Sequence, residues 1–319
     1  AIKVNQPVGR KTLLNFINMT ERQLRTECEV LSKLGLITKK ATGMSVTEKG
    51  EELLLEIKES IINDSFAKER SFIKNHFSIK QVHIVAGDFV NNEATREEMT
   101  NLLLDKVNAK ITKECVIGVS GGSTMYYIAG RANETFGYGK DVTITPIRGG
   151  LSVVNTEYQA NDIASKMAKN SGHSSQLLHA PDNIGQKALE ELKKEPVVKN
   201  ALDVIGKTSI IIHSIGNAFE MAYRRKSSKD ILKVLEEKKA VCESFGSYFD
   251  ESGSEIFKTS TIGMSFKDVD GIDNVFTIVG GEEKADAVFS YLNTKPANAT
   301  LIIDEAICKK IIKKVNNNF

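Results

Sequence analysis

The chain is 319 residues long and 41% apolar, which is enough for a full core and more than one domain usually holds, so about two domains are expected. No uninterrupted apolar run approaches the roughly 20 residues of a membrane span and no signal-type block opens the chain, so a soluble, cytoplasmic protein is expected. Net charge is +2 and unevenly placed: residues 1–44 carry eight Lys/Arg against three Asp/Glu, leaving +5 in the head and −3 in the rest.

The four cysteines, Cys28, Cys115, Cys242 and Cys308, lie far apart in apolar settings and read as reduced core residues. In the basic head, Thr20-Glu-Arg-Gln23 has the spacing of a capping box and predicts a helix over 20–34. Leu24, Cys28 and Leu31 fall on one face of it, and Arg22, Arg25, Thr26, Glu29 and Lys33 on the other. Upstream, Gly9 to Phe16 suits a short helix and Ile17–Met19 a tight turn, which together make a helix-turn-helix. Downstream, Leu36 to Val46 has the pattern of a hairpin with Gly43 near its tip. In this winged-helix reading Arg22, Arg25 and Thr26 face the major groove, while Lys39 and Lys40 on the wing meet phosphates. A solvated, protein-binding helical head is the alternative. The chain starts at Ala1 without the first helix such a unit expects, so further residues are expected ahead of it. Residues 47–75 read as a helix with Leu54, Ile57 and Ile61 on one stripe, suited to packing on the body or on a second copy of the chain.

From Gln81 onward strand-like runs alternate with helical stretches. Strands are expected at Val82–Ala86, Val116–Val119, Val142–Ile147, Gln176–Ala180, Ser209–His213, Val275–Val279 and Thr300–Ile303, giving an α/β domain with a doubly wound, mostly parallel sheet. Domain boundaries are expected at 1–50 for the head, 51–78 for a linker helix and 79–319 for the body. Ligands of such sheets sit beyond the carboxyl ends of the strands, so the residues just after each run matter. Val116 to Val119 run into Gly121, Gly122, Ser123 and Thr124, a glycine turn opening a helix whose first amides lack partners and favour an anion. Arg148-Gly149-Gly150 comes after the third run, Ser214 to Asn217 after the fifth, and Gly280-Gly281 with Lys284 after the sixth. These converging groups suit a polyanionic small molecule, with Arg148 a planar fork and Lys284 a point charge. The five histidines form no metal-binding pattern, no serine elbow is present, and no Walker lysine or complete dinucleotide loop appears. No catalytic residue, metal or cofactor is therefore expected.

Six ordered segments resemble the SorC family of bacterial sugar-responsive transcriptional regulators: Gly118 to Met125, Pro146 to Leu151, Gln159-Ala-Asn161, Met221 to Arg225, Glu243 to Gly246 and Val279 to Ala285. The resemblance spans nearly the whole chain. It implies a winged-helix repressor whose dimers assemble into tetramers on operator DNA and are loosened by a phosphorylated sugar, which in the glycolytic branch of the family is fructose 1,6-bisphosphate. It also implies that Gly121, Gly122, Ser123 and Thr124 hold one phosphate together with Lys284 and the Gly280-Gly281 turn. Arg148, Gly149 and Arg224 would meet the other end, and Gln159, Asn161 and Glu243 the sugar hydroxyls. The family's usual Thr-Thr pair is here Ser123-Thr124, which keeps both hydroxyls. The body also resembles sugar-phosphate isomerases and deaminases. Those enzymes place Asp-Gly-His near a glycine turn for proton transfer. Here that turn reads Ile215-Gly-Asn-Ala218, so binding without turnover is expected. An enzyme of that class, or a phosphosugar binder without DNA function, is the alternative.

Overall fold

The computed structural model describes residues 2–14, 17, 19–54, 66–150, 156–181 and 185–317. The chain forms two compact units, Ala1–Ala67 and Lys68–Phe319.

In the first unit the helix Glu21–Lys33 starts as its sequence requires. The Thr20 hydroxyl accepts from the Gln23 amide at 3.3 Å and the Gln23 side chain accepts from the Thr20 amide at 2.9 Å. Leu24 and Cys28 are buried, whereas Arg22, Arg25 and Thr26 are exposed. A shorter helix, Arg10–Leu13, precedes it. Strands β1 (Ile37–Lys40) and β2 (Gly43–Val46) form the antiparallel wing, and Val8 adds a bridge to Met44 on its free edge. Val8, Leu13, Leu24, Cys28, Ile37 and Met44 make one small core. The unit is a winged helix-turn-helix. Residues 48–54 are helical, and the helix Ala67–Phe77 packs into the second unit, where Ile73 and Phe77 are buried and Phe77 meets Phe289 edge-on at 5.8 Å. Ile57 and Ile61 of the expected stripe, like Phe16 and Leu151, lie outside the described residues.

The second unit is built on a seven-stranded sheet. Its strands are β3 (Gln81–Val85), β4 (Glu114–Val119), β5 (Asp141–Pro146), β6 (Ser174–Ser175), β7 (Ile210–His213), β12 (Asn274–Val279) and β13 (Ala299–Asp304). They run parallel in the order β3-β13-β12-β7-β4-β5-β6. Strands β7 and β13 are buried along their whole length, which is why they read as unbroken apolar runs. After β4 the chain moves outward to β5 and β6, and after β7 it moves the other way to β12 and β13. The crevice between β4 and β7 is therefore the topological switch point, where ligands of such sheets bind.

Two features depart from the expected pattern. No strand forms over the expected Gln176–Ala180: the short strand β6 (Ser174–Ser175) lies just ahead of it, and beyond it the Asn161 side chain bonds the backbone, its amide nitrogen donating to Leu178 O at 3.0 Å and its amide oxygen accepting from Leu178 N at 2.9 Å. The second feature is an antiparallel sheet that no run in the sequence predicts. It comprises β8 (Gly216–Asn217), β9 (Cys242–Ser244), β10 (Ser247–Phe249) and β11 (Glu255–Lys258), in the order β11-β10-β9-β8. The β9–β10 turn is Phe245-Gly246, with φ of 53° and 78°. That left-handed pair matches the twist of a two-residue hairpin, at a steric cost for Phe245.

Candidate functional site

A cavity of about 600 Å³ lies at the carboxyl ends of the parallel strands. The loop after β4 supplies its anion cradle. Gly122, with φ of 120°, is the cap of the helix Ser123–Arg131 and has no side chain to satisfy the first-turn amides, so those of Ser123 and Thr124 remain available. A β-carbon on Gly121 would stand 2.8 Å from the Tyr158 carbonyl, and that same carbonyl accepts from Gly122 N at 2.8 Å, so the loop is clamped by the segment before the next helix. Ser120 closes the switch point: its hydroxyl accepts from Ser214 N at 3.2 Å, tying the β4 loop to the β7 loop.

Arg148 follows β5 and is almost wholly buried, with its Nε donating to the Thr261 hydroxyl at 3.0 Å. Its guanidinium lies so close to Gly246 that any β-carbon there would collide with it. Glu243 on β9 stands 3.6 Å from Arg148, accepts from Arg225 at 3.0 Å and accepts from Gly246 N at 2.6 Å, all on Oε1. Arg225 also donates to the Tyr248 hydroxyl at 3.2 Å. One buried carboxylate thus compensates two guanidinium groups, as buried charges require.

Lys284 enters from the loop after β12 and donates to Gly280 O at 3.3 Å. Burial holds its pKa below the ordinary lysine value and nearby Arg224 pushes the same way, against Glu283, Glu220 and Asp304. The loop is fixed from below by Asp304 at the end of β13, whose carboxylate accepts from Gly281 N at 2.7 Å, Phe89 N at 2.9 Å and Ile307 N at 2.9 Å.

Of the residues singled out in the sequence, Gly121, Gly122, Ser123, Thr124, Arg148, Gly149, Gln159, Arg224, Glu243 and Lys284 all line this one cavity. Three do not. Asn161 is buried, and its amide is spent on Leu178 and Gly150. Gly280 is packed on Phe89 and Gly281 is held by Asp304, so these two shape the Lys284 loop without lining the cavity. By its charge Arg224 works to lower the pKa of Lys284 and of Tyr158. Tyr158, His213 and Glu220 also line the cavity and are not among the positions the sequence singles out, whereas Ser214, Arg225 and Phe245 line it from within stretches the sequence marked without naming them as contacts. Arg225 carries a usable signal, since adjacent helical residues point about 100° apart and a pair of arginines there sends one inward. Phe245 carries none, because its place depends on the second sheet.

The head presents its own charged face. Arg22, Arg25, Lys39 and Lys40 are exposed. Arg25 forms an exposed pair with Glu29 at 3.2 Å, and the Thr26 hydroxyl donates back to Arg22 O at 3.1 Å. Among the described residues no cluster of His, Cys, Asp or Glu could hold a metal ion, and no helix is long and apolar enough to cross a membrane. All four cysteines are buried and free.

The matches to known proteins fall on the same two units. Residues 62–313 match the family of sugar-binding domains, and residues 1–61 match the CggR N-terminal DNA binding domain. The chain belongs to the SorC family of transcriptional regulators. It is similar to the central glycolytic genes regulator of Bacillus subtilis (strain 168), with 31% identity covering 98% of this chain and 91% of the relative. It is also similar to a solved SorC family transcriptional regulator from Enterococcus faecalis, with 32% identity and a TM-score of 0.72, covering 77% of this chain and 99% of that one. The full-length sorbitol operon regulator SorC from Klebsiella pneumoniae shares the fold at 14% identity, with a TM-score of 0.66 over 96% of this chain and 94% of that one. This SorC-family member is a DNA-binding, sugar-responsive regulator and not an enzyme.

Proposed function

We propose that the chain is a cytoplasmic repressor of glycolytic genes whose grip on operator DNA is relieved by fructose 1,6-bisphosphate. The observation that carries this reading is one cavity holding two separate sets of anion-binding groups. The Ser123 and Thr124 amides with Lys284 suit one phosphate, and Arg148 with Arg224 suits the second. Gln159 and Glu243 border the same space and suit the sugar hydroxyls between them. The similarity to the Bacillus subtilis regulator of central glycolytic genes supports the choice of target genes.

In this reading the head binds duplex DNA through Arg22, Arg25, Thr26, Lys39 and Lys40, and dimers or tetramers of the chain span two half-sites. The effector shifts the equilibrium between arrangements in proportion to its difference in affinity for them. The test is an operator-binding titration followed by fluorescence anisotropy, with fructose 1,6-bisphosphate and fructose 6-phosphate as effectors. Release by the bisphosphate at concentrations where the monophosphate does nothing is the expected result. Equal and negligible responses would remove the bisphosphate assignment.

A further inference from the structure

Between β11 and β12, residues 259–264 cross the carboxyl end of β5 and bond to it on one side and to the β9–β10 turn on the other. Toward β5, Gly149 N donates to Ile262 O at 2.9 Å, Met264 N donates to Ile147 O at 2.8 Å, and Gly263 forms an antiparallel bridge with Arg148. Toward the turn, the Thr259 amide and hydroxyl both donate to Gly246 O, at 2.8 and 3.0 Å. A β-carbon on Gly263, whose φ is 120°, would run into the Ile147 carbonyl and the Arg148 α-carbon, so the two backbones touch there. This strap carries the Thr261 hydroxyl to the base of the Arg148 guanidinium, 3.0 Å from Nε.

Glu243 orients that guanidinium only loosely. Its Oε1 takes short bonds from Gly246 N at 2.6 Å and Arg225 at 3.0 Å, and stands 3.6 Å from Arg148 Nη1, past hydrogen-bond length. Gly246 fixes the tilt: Nη1, Cζ and Nη2 of Arg148 all lie within collision distance of the place a β-carbon would occupy, so the planar group lies flat on the turn. The direction of the fork within that plane is set at Nε, where Thr261 accepts. A guanidinium meets a phosphate side-on through Nε and one Nη, or end-on through both Nη nitrogens, and a bond at Nε favours the second mode.

We propose that Thr261 is a positioning residue for the second phosphate of the effector: by accepting from Nε it holds Arg148 in the end-on presentation, in which both Nη nitrogens take phosphate oxygens. This rests on the phosphosugar reading above, in which Arg148 meets that phosphate. Thr261 is not among the residues lining the cavity and acts through Arg148 alone. A hydroxyl suits the task, because a carboxylate in its place would neutralise the guanidinium, whereas a neutral acceptor directs it and leaves its charge to the ligand.

The experiment uses the full chain, with fructose 1,6-bisphosphate affinity read by calorimetry. Thr261→Val keeps the shape and removes the acceptor, and Thr261→Ser restores it. The Val variant is expected to bind the bisphosphate about tenfold more weakly than wild type, the size of a lost hydrogen bond to a charged group, and the Ser variant to stay within about twofold. A merely structural role predicts the same loss whatever stands at position 148. Positioning predicts that in an Arg148→Lys background, which has no Nε to hold, Thr261→Val costs nothing further. Equal losses in the two backgrounds, or wild-type affinity in the Val variant, would overturn the proposal. Should a variant not fold, nitrogen-15 NMR of the arginine-labelled wild-type chain decides: the bisphosphate is expected to move the Arg148 Nη resonances and leave Nε nearly in place, and an Nε resonance that moves with them would sink the end-on mode. Absence of any binding heat with the wild-type chain would instead bring down the phosphosugar reading, and this role with it.

Discussion

The cations of the head and those of the body do different physical work. On the head Arg22, Arg25, Lys39 and Lys40 stand in solvent, and the side chains of the Arg25–Glu29 ion pair are 67% and 52% exposed. In the body Arg148 and Arg225 are drawn into a cluster around Glu243, where the Arg148 and Glu243 side chains are 9% and 6% exposed. Exposed charges attract a polyanion at long range, are screened by salt and contribute little to folding. Buried charges are fixed in place, hold the fold together and recognise by shape. Under the proposed function, one chain meets two kinds of phosphate with two kinds of electrostatics.

The sharpest way to break this contrast is Glu243→Ala, which removes the carboxylate facing buried Arg148 and half-buried Arg225. It is expected to cost about 3–5 kcal/mol of stability in urea denaturation of the second unit, whereas removing Glu29 should cost almost nothing. Unchanged stability would mean that Glu243 is not the keystone of the cluster. Next in size, Lys284→Met is expected to weaken bisphosphate binding by about 1.5–3 kcal/mol, the value of a hydrogen bond to a charged group, and to leave effector-free operator affinity intact.

The same lysine gives a pH signature. Its pKa is lowered in the free protein, and a bound phosphate raises it. Binding therefore takes up protons on the alkaline side and weakens as pH rises through that window, which calorimetry in buffers of different ionisation enthalpy would detect. On the head, Arg25→Ala is expected to cost roughly 1–3 kcal/mol in operator affinity without touching the effector site. The smallest effect belongs to Lys39→Ala, which should reduce the slope of log affinity for DNA against log salt by about one and weaken all sequences alike.

The head is legible in the sequence because its signals are local. Thr20 and Gln23 meet within one turn, the Leu24 and Cys28 stripe follows the helical repeat, and Gly43 opens β2 at the wing turn. The parallel sheet is legible for a related reason, since strands covered on both faces read as continuous apolar runs. The Gly121–Thr124 loop announces itself by standing between such a run and a helix. Other features are out of reach because they depend on partners far away in the chain. Asn161 looks like a polar residue near a site, and only its bonds to Leu178 show that it replaces a strand pairing. The short strands β8 to β11 carry too few residues for a period to show, yet they place Glu243 and Gly246 against Arg148.

The sequence by itself therefore determined the two-domain layout, the succession of the parallel strands other than β6 along the chain and the places where glycines and cations follow strand ends, because each depends on neighbours a few residues apart. Only the tertiary structure decided which of those ends share a cavity, which arginines meet Glu243 and what His213 is buried against. Those outcomes are set by strand order at the switch point and by burial, and both arise from contacts between residues as distant as Arg148 and Thr261 or His213 and Thr277.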